Sequence, residues 1–428
     1  MSRMCLTALA AGVMAVGTGA GAADLPPLSI TSVNLAGYTS GTVGATELSG
    51  LTYVGGNKWF AISDGTGRLI EMEIDIHPVT GSVTSASAVS GVTLAGASDL
   101  EGVAWDPTTG SVWVSDETGP AIRRHDPDTG AALQTLSLPA VYANIRSNFS
   151  LESLTRDPST GELWTANEEA LSVDGLVSTT TAGTVVRLQR FDASGTPTGQ
   201  WAYVTEKISG DSPLTTDERS GVADLLALPD GRLLVLEREL GGTPLPQLTN
   251  RLYLVDFDGA TDVSGLAELD GQTYTPVSKT LLWSTSVYTN FEGLGLGPTL
   301  ADGSRSLLLI SDDEGGILPA RIYALRIEGV VPESGLLAPA GLLIAGLLRR
   351  RGRSVATYQL PVASCQLPVA RSASLRLFVS PPIAQSPALS VSSTGPTYVL
   401  DTTTSSNHTR LTRRGLASLL WRGACSVM

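Results

Sequence analysis

The chain has 428 residues, with 28 Lys+Arg against 41 Asp+Glu, a net charge of −13 and a pI near 4.7. A field of that sign excludes recruitment of DNA, RNA or anionic lipid by overall charge and makes metal cations the natural ionic partners. The only cysteines are Cys5, Cys365 and Cys425, and the only histidines His77, His125 and His408, which excludes a disulfide scaffold and any Cys- or His-rich metal site in the body of the chain.

Residues 1–23 carry Arg3, an apolar run and small residues before Asp24, the pattern of a secretory signal, so an exported protein is expected, periplasmic, cell-surface or extracellular. From residue 24 to 330 one line of sequence keeps returning. DLEGVAWDPTTGSVWVSDETG at 99–119 lies over SLESLTRDPSTGELWTANEEA at 150–170 without a gap. GVAW reads as a strand, DPTTG as a reversing turn and SVWVS as a second strand, since Pro fixes φ, Gly tolerates positive φ, and Val and Trp alternate. Related lines stand at 48–67, 222–239 and 291–316, and the acidic position after the second strand recurs at Asp64, Asp116, Asn167, Glu237 and Asp312. AIRRHDPDTGAALQTLSLP, GTVVRLQRFDASGTPTGQWAYV and NRLYLVDFDGA read as further hairpins between these lines. A strand-rich unit of this length, repeated, predicts an all-β protein, a β-propeller of about six blades with five or seven as alternatives, and a monomer.

Residues 331–353 begin with Val331, Pro332 and Glu333, continue through a short apolar run and end in arginines. The run is short for a membrane span. The segment resembles the PEP-CTERM sorting signal, with Ser334 in place of the second proline; the resemblance implies association with the membrane or with exopolysaccharide. Residues 354–428 are rich in Ser, Thr and Pro, with 10 Lys+Arg against one acid over 349–428, and read as a low-complexity, disordered tail.

In a propeller, a residue repeated at one blade position becomes a ring about the axis. Two rings are predicted: the acids after the second strands, with Glu117, Glu168, Glu169, Asp313 and Glu314 beside them, and the glutamates that open the blades, Glu101, Glu152 and Glu292. Crowded carboxylates repel unless a cation intervenes, and an all-oxygen set suits Ca2+. Arg146, Arg219, Arg238 and Lys207 are candidate holders of an anion. His125 reads as a surface residue. No G-x-S-x-G motif is present, so a nucleophile elbow is not expected.

The motifs LSGLTY, DLEGVAWDPTTGSVWVSDE, NIRSNFSLESLT with LWTANEEA, GVADLLALPDGRLLVLERE and NFEGLGL with LLLISDDEGG, in this order, resemble the phytase-like domain family, also described as esterase-like activity of phytase. The resemblance implies a secreted bacterial β-propeller that hydrolyses phosphate esters, and so a small-molecule ester substrate. On that footing the expected metal ligands are Glu101, Asp116, Glu117, Glu237, Glu292, Asp312 and Asp313, with Glu152, Glu168, Arg146 and Arg238 as catalytic residues. A non-catalytic propeller that binds a ligand, glycan or protein, and a lactonase-type calcium-dependent esterase, are the alternatives.

Overall fold

The computed structural model describes residues 25–331 apart from residue 217; the expected signal segment, nearly all of the sorting-type segment and the tail lie outside the described residues. Strand β1 (Ser29–Gly37) is followed by four strands in each of blades 1–4 and three in blade 5. Blade 1 is β2 (Leu48–Gly55), β3 (Lys58–Ser63), β4 (Arg68–Ile76) and β5 (Val83–Thr93). Blade 2 is β6 (Leu100–Asp106), β7 (Ser111–Asp116), β8 (Ala121–His125) and β9 (Ala132–Thr135). Blade 3 is β10 (Thr155–Arg156), β11 (Leu163–Ala166), β12 (Val185–Phe191) and β13 (Pro197–Val204). Blade 4 is β14 (Arg219–Ala227), β15 (Leu233–Gly241), β16 (Gln247–Asp256) and β17 (Ser278–Thr285). Blade 5 is β18 (Asn290–Thr299), β19 (Arg305–Asp312) and β20 (Arg321–Glu328), and β1 pairs antiparallel with β20 to complete it. The closing strand therefore comes from the N-terminal side and joins the two ends of the propeller body in one sheet.

Each interface between neighbouring blades holds its own apolar core. Leu48, Trp59 and Ile70 of blade 1 meet Leu308, Ile310 and Ile322 of blade 5. Phe60 and Ile62 meet Val103 and Val114 across blades 1 and 2. Similar clusters join blades 2 and 3, 3 and 4, and 4 and 5. Each large side chain buried there contributes roughly 1.5–3 kcal/mol relative to exposure. No single blade can bury both faces, which is why the repeat reads as a stack rather than as separate domains.

The blades number five, the lower of the two alternatives to about six. The additional chain behind the longer repeat spacings is loop. NRLYLVDFDGA supplies only β16, and its partner β17 arrives after the connection 257–277. That connection packs on blade 3: Val263 N–H donates to Gln200 O (2.8 Å), Val277 N–H donates to Ala202 O (2.9 Å), and Val263 and Leu269 pack with Ala202. It covers β13, an edge strand that would otherwise present open hydrogen-bonding groups. Arg187 and Asp174 form a fully buried bidentate pair beneath it (2.6 and 2.7 Å). His125 is buried rather than on the surface, with Nδ1 3.2 Å from Gly130 O.

Candidate functional site: an axial well of carboxylates

The innermost strands β2, β6, β10, β14 and β18 touch in a closed cycle, and the Glu-Gly pairs 101–102 and 292–293 lie near the starts of β6 and β18. The glycine has a packing reason. A Cβ on Gly102 would overlap the Leu154 amide of blade 3, and one on Gly293 would lie 2.9 Å from the carbonyl carbon of Gly50 in blade 1. The preceding glutamate sits at an irregularity of the ladder, between Leu100 and Val103 in β6 and between Phe291 and Gly293 in β18. Bulges of this kind re-aim a side chain, here out of the sheet.

Glu101, Glu152 and Glu292 are brought together by this arrangement. Glu101 feels the charges of Glu152, Asp64, Glu292 and Glu117, and Glu152 those of Glu168, Glu117 and Glu292. Asp312 feels Glu292, Glu314 and Asp64. Together with Asp99, these acids form one axial well with walls from blades 1, 2, 3 and 5. Blade 4 contributes a base. Arg238 lies opposite Gly221 in the β14–β15 ladder, and its guanidinium donates to Glu168 Oε1 (2.7 Å), to Asn290 Oδ1 (2.9 Å) and to Glu292 Oε1. Asn290 Nδ2 in turn donates to Glu292 Oε1 (3.0 Å), Glu314 Oε1 (3.0 Å) and Asp312 Oδ2 (3.3 Å).

The two sides of the well differ electrostatically. Burial, then a hydrogen bond with Asp99 and the charges of Asp99 and Glu292, raises the Asp64 carboxyl to about 9. Burial and four neighbouring carboxylates push Glu101 well up. Glu152 is also raised, by burial and Glu168 first, but Arg238 pulls it back. Glu292 rises through burial to about 7, with Arg238 the largest opposing influence. Burial lowers the Arg238 pKa, while Glu292, Glu168 and Glu152 outweigh that effect and hold it above its ordinary value. On the blade 1–2 side, one carboxylate oxygen each from Asp64, Asp99 and Glu101 lie within 4.8 Å of one another, and Asp64 Oδ1 is buried without a hydrogen-bond partner. Three hard oxygen donors at that spacing, two of them on carboxyls raised by burial and by neighbouring negative charge, fit a calcium ion.

Not every acid of the predicted set reaches the well. Asp116 is held by Arg123 (2.7 Å) and accepts from Ser98 N–H and Thr118 N–H, bracing the turn. Glu237 lies between blades 3 and 4, where it accepts from Tyr203 Oη (2.6 Å), Lys279 Nζ (2.5 Å) and Glu206 N–H (2.9 Å). Asp313 accepts Glu47 N–H (2.8 Å). Arg146 spends its guanidinium on the carbonyls of Ala170 and Gly175 (2.9 and 2.8 Å). The ring position itself is shifted by one residue from the sequence alignment. Asp64, Glu117 and Glu168 are equivalent, since each donates its N–H to the residue two before its blade's opening pair, namely Glu47, Asp99 and Ser150. Ser63, Asp116 and Asn167 pair instead with Leu48, Leu100 and Leu151.

Sequence reasoning missed Asp99 and Asn290. Both stand two residues before a Glu-Gly pair, in DLEG and NFEG, and Glu47 holds the same place in ELSG. Glu47 and Glu314, at the edge of the well, are two of the three non-glycine residues with positive φ among the described residues, at 54° and 50°. Such backbone costs of order 1–3 kcal/mol and gathers at functional sites. Asp224 accepts the N–H groups of Leu225 (2.8 Å) and Leu294 (2.7 Å), tying blade 4 to blade 5.

No curated protein matches the chain. Among solved structures, a streptogramin B lyase is 12% identical, with 70% of this chain and 98% of that one covered, at a TM-score of 0.31. The PQQ-bound aldose sugar dehydrogenase from Streptomyces coelicolor is 13% identical over 71% and 100%, at 0.35, and a luciferin-regenerating enzyme 14% identical over 72% and 98%, at 0.33. At these values the likenesses carry no argument about chemistry. The family model described as "Phytase-like: Esterase-like activity of phytase" matches residues 43–315, which include all five inner strands and every residue of the well. The chain belongs to this phytase-like family.

Proposed function

We propose that this protein is a calcium-dependent phosphoric ester hydrolase acting outside the cytoplasm. The observation that carries the reading is the pairing, within one axial well, of the clustered oxygens of Asp64, Asp99 and Glu101 with the carboxylate-held guanidinium of Arg238. A calcium ion bound to that trio would acidify a water molecule and offset phosphoryl charge. Arg238 orients the phosphoryl oxygens, and Glu168 and Glu292 fix the plane of its fork. Glu152, whose carboxyl is raised by burial and by Glu168 and tempered by Arg238, takes the proton of the attacking water as the water oxygen bonds to phosphorus. The bond from phosphorus to the ester oxygen breaks, and that oxygen leaves as the alcohol with the proton returned by Glu152. Secretion is part of the proposal on the strength of residues 1–23.

The test is phosphate release from p-nitrophenyl phosphate by the chelator-treated protein with and without added calcium, run beside calorimetric calcium titration. Calcium-restored turnover that Glu152→Gln removes, while calcium affinity stays, supports the reading. Calcium binding with no turnover of any ester, or turnover of lactones alone, replaces it with a binding propeller or a lactonase. Turnover indifferent to chelation contradicts it.

A further inference from the structure

We infer that a second axial pocket, further along the inner strands, binds a small organic monoanion: a compact apolar body carrying one carboxylate, held by the guanidinium of Arg305. The pocket shares no residue with the acid well and does not depend on the hydrolase reading.

Leu51, Ala104, Thr155, Ala227 and Leu294, one from each inner strand and all buried, line a pocket of about 210 Å³. Ala104 follows Glu101 and Leu294 follows Glu292 on the same strands, about 10 and about 7 Å further on. Pro107 and Pro158, just past the ends of β6 and β10, also line the pocket and are exposed. The pocket therefore opens away from the well. Most of its wall is apolar. Thr52 Oγ1 and Thr155 Oγ1 accept the N–H groups of Trp105 (3.1 Å) and Ala227 (3.0 Å), which ties blade 1 to blade 2 and blade 3 to blade 4. An apolar cavity of about 150 Å³ holds a benzene ring, so this one has room for a ring and a head group. A concave, mostly apolar site with a few polar groups is the ordinary form of a small-molecule site.

Charge decides what kind of molecule fits. The chain has 41 acids against 28 bases, yet no Asp or Glu lines this pocket, and its charged members are Arg156 and Arg305. Arg156 is balanced, with Nη2 3.3 Å from Asp106 Oδ1. Arg305, half-buried, has no carboxylate partner among the described residues. Its Nε (2.9 Å) and Nη2 (2.6 Å) donate to the Gly297 carbonyl, which fixes the plane of the fork, and Nη1 donates to no group among the described residues. Burial lowers its pKa, opposed by the Tyr53 hydroxyl. A guanidinium keeps its proton in a protein, so this desolvated charge favours an anion beside it. The two oxygens of a carboxylate suit the edge of the fork that Gly297 leaves open. A phosphate monoester, with about −1.5 to −2 charges, would bring more charge than Arg305 offsets.

The experiment uses the full chain, treated with chelator, and follows the indole N–H resonance of Trp105, which lines the pocket and is identified by its loss in Trp105→Phe. Benzoate shifts this resonance saturably. Benzyl alcohol, which keeps the ring without the charge, and acetate, which keeps the charge without the ring, bind about tenfold more weakly or worse. Arg305→Gln weakens benzoate by about tenfold or more. Leu296→Glu sets a carboxylate in the pocket wall, leaves Arg305 in place and weakens benzoate to a similar degree. Should either variant fail to fold, the three-ligand comparison in the unmodified protein decides alone. No saturable shift at millimolar benzoate, equal affinity for benzyl alcohol or acetate, or benzoate affinity indifferent to both folded variants overturns the inference. Tighter binding of phenyl phosphate than of benzoate overturns the assignment of a singly charged ligand.

Discussion

Blades 1 and 2 and blades 3 to 5 build the same well from the same repeat, yet their contributions differ in kind. Blades 1 and 2 bring Asp64, Asp99, Glu101 and Glu117 on short, polar turns, and the Asp64 and Glu101 carboxyls are raised by burial and by one another. Blades 3 to 5 bring Glu168, Glu292 and Asp312 too, but set Arg238 among them. One exchange of acid for base in blade 4 turns a ring of like charge into a well that is acidic on one side and braced by a guanidinium on the other. A repeat protein can thus make an asymmetric site by changing one blade and leaving the backbone alone.

The sharpest way to break the comparison is to remove its one base. Arg238→Met leaves Glu168 and Glu292 buried without their partner and should cost about 3–5 kcal/mol in urea unfolding. A loss below about 1 kcal/mol would mean that the two sides do not differ as described. Gly102→Ala tests the close approach of the inner strands on the acid side. It should cost about 1–3 kcal/mol by overpacking, whereas Gly265→Ala, which meets nothing within 4 Å, should stay within about 0.5 kcal/mol. Glu101→Gln sharpens the comparison by opposite effects. It raises the melting temperature without calcium, because glutamine stays neutral in the well without having to take up a proton, and weakens calcium binding by about tenfold or more, ~1.4 kcal/mol.

The smallest effect is a pH dependence. Asp64 is raised from 3.8 to about 9, so the folded chain holds a proton that the unfolded chain releases. The stability linked to it is full below pH 3.8 and is lost as pH rises towards about 9; Glu292, raised to about 7, acts in the same direction. A melting series across that window should decline without calcium and flatten with calcium, since the metal takes the place of the protons. A calcium-free series that climbs instead would reverse the sign assigned to the well.

Much of this molecule is legible in its sequence. The alternation in SVWVS, the DPTTG turn and the return of the same line give the propeller, because strand period and turn chemistry are local. The blade number was less legible: residues 257–277 are long enough for a hairpin but act as a cover for β13, which depends on a distant partner. The gathering of Glu101, Glu152, Glu168 and Glu292 was readable from their repeat positions, whereas Arg238 was readable only as a candidate anion holder and not as their neighbour. Which of two adjacent acids faces the axis was not. Neighbouring residues on a strand point to opposite sides, and hairpin register decides between them. Asp116 and Asp313 fell on the bracing side and Glu117 and Asp312 on the axial side for that reason. Asp99 escaped notice because it precedes its strand, where an acid more often caps a turn.

The most direct test of the account is the position of calcium in crystals grown with the ion and read by its anomalous scattering. The account predicts one ion coordinated by carboxylate oxygens of Asp64, Asp99 and Glu101, on the side of the well away from Arg238. An ion bound outside the well, or an empty well at millimolar calcium, would contradict it.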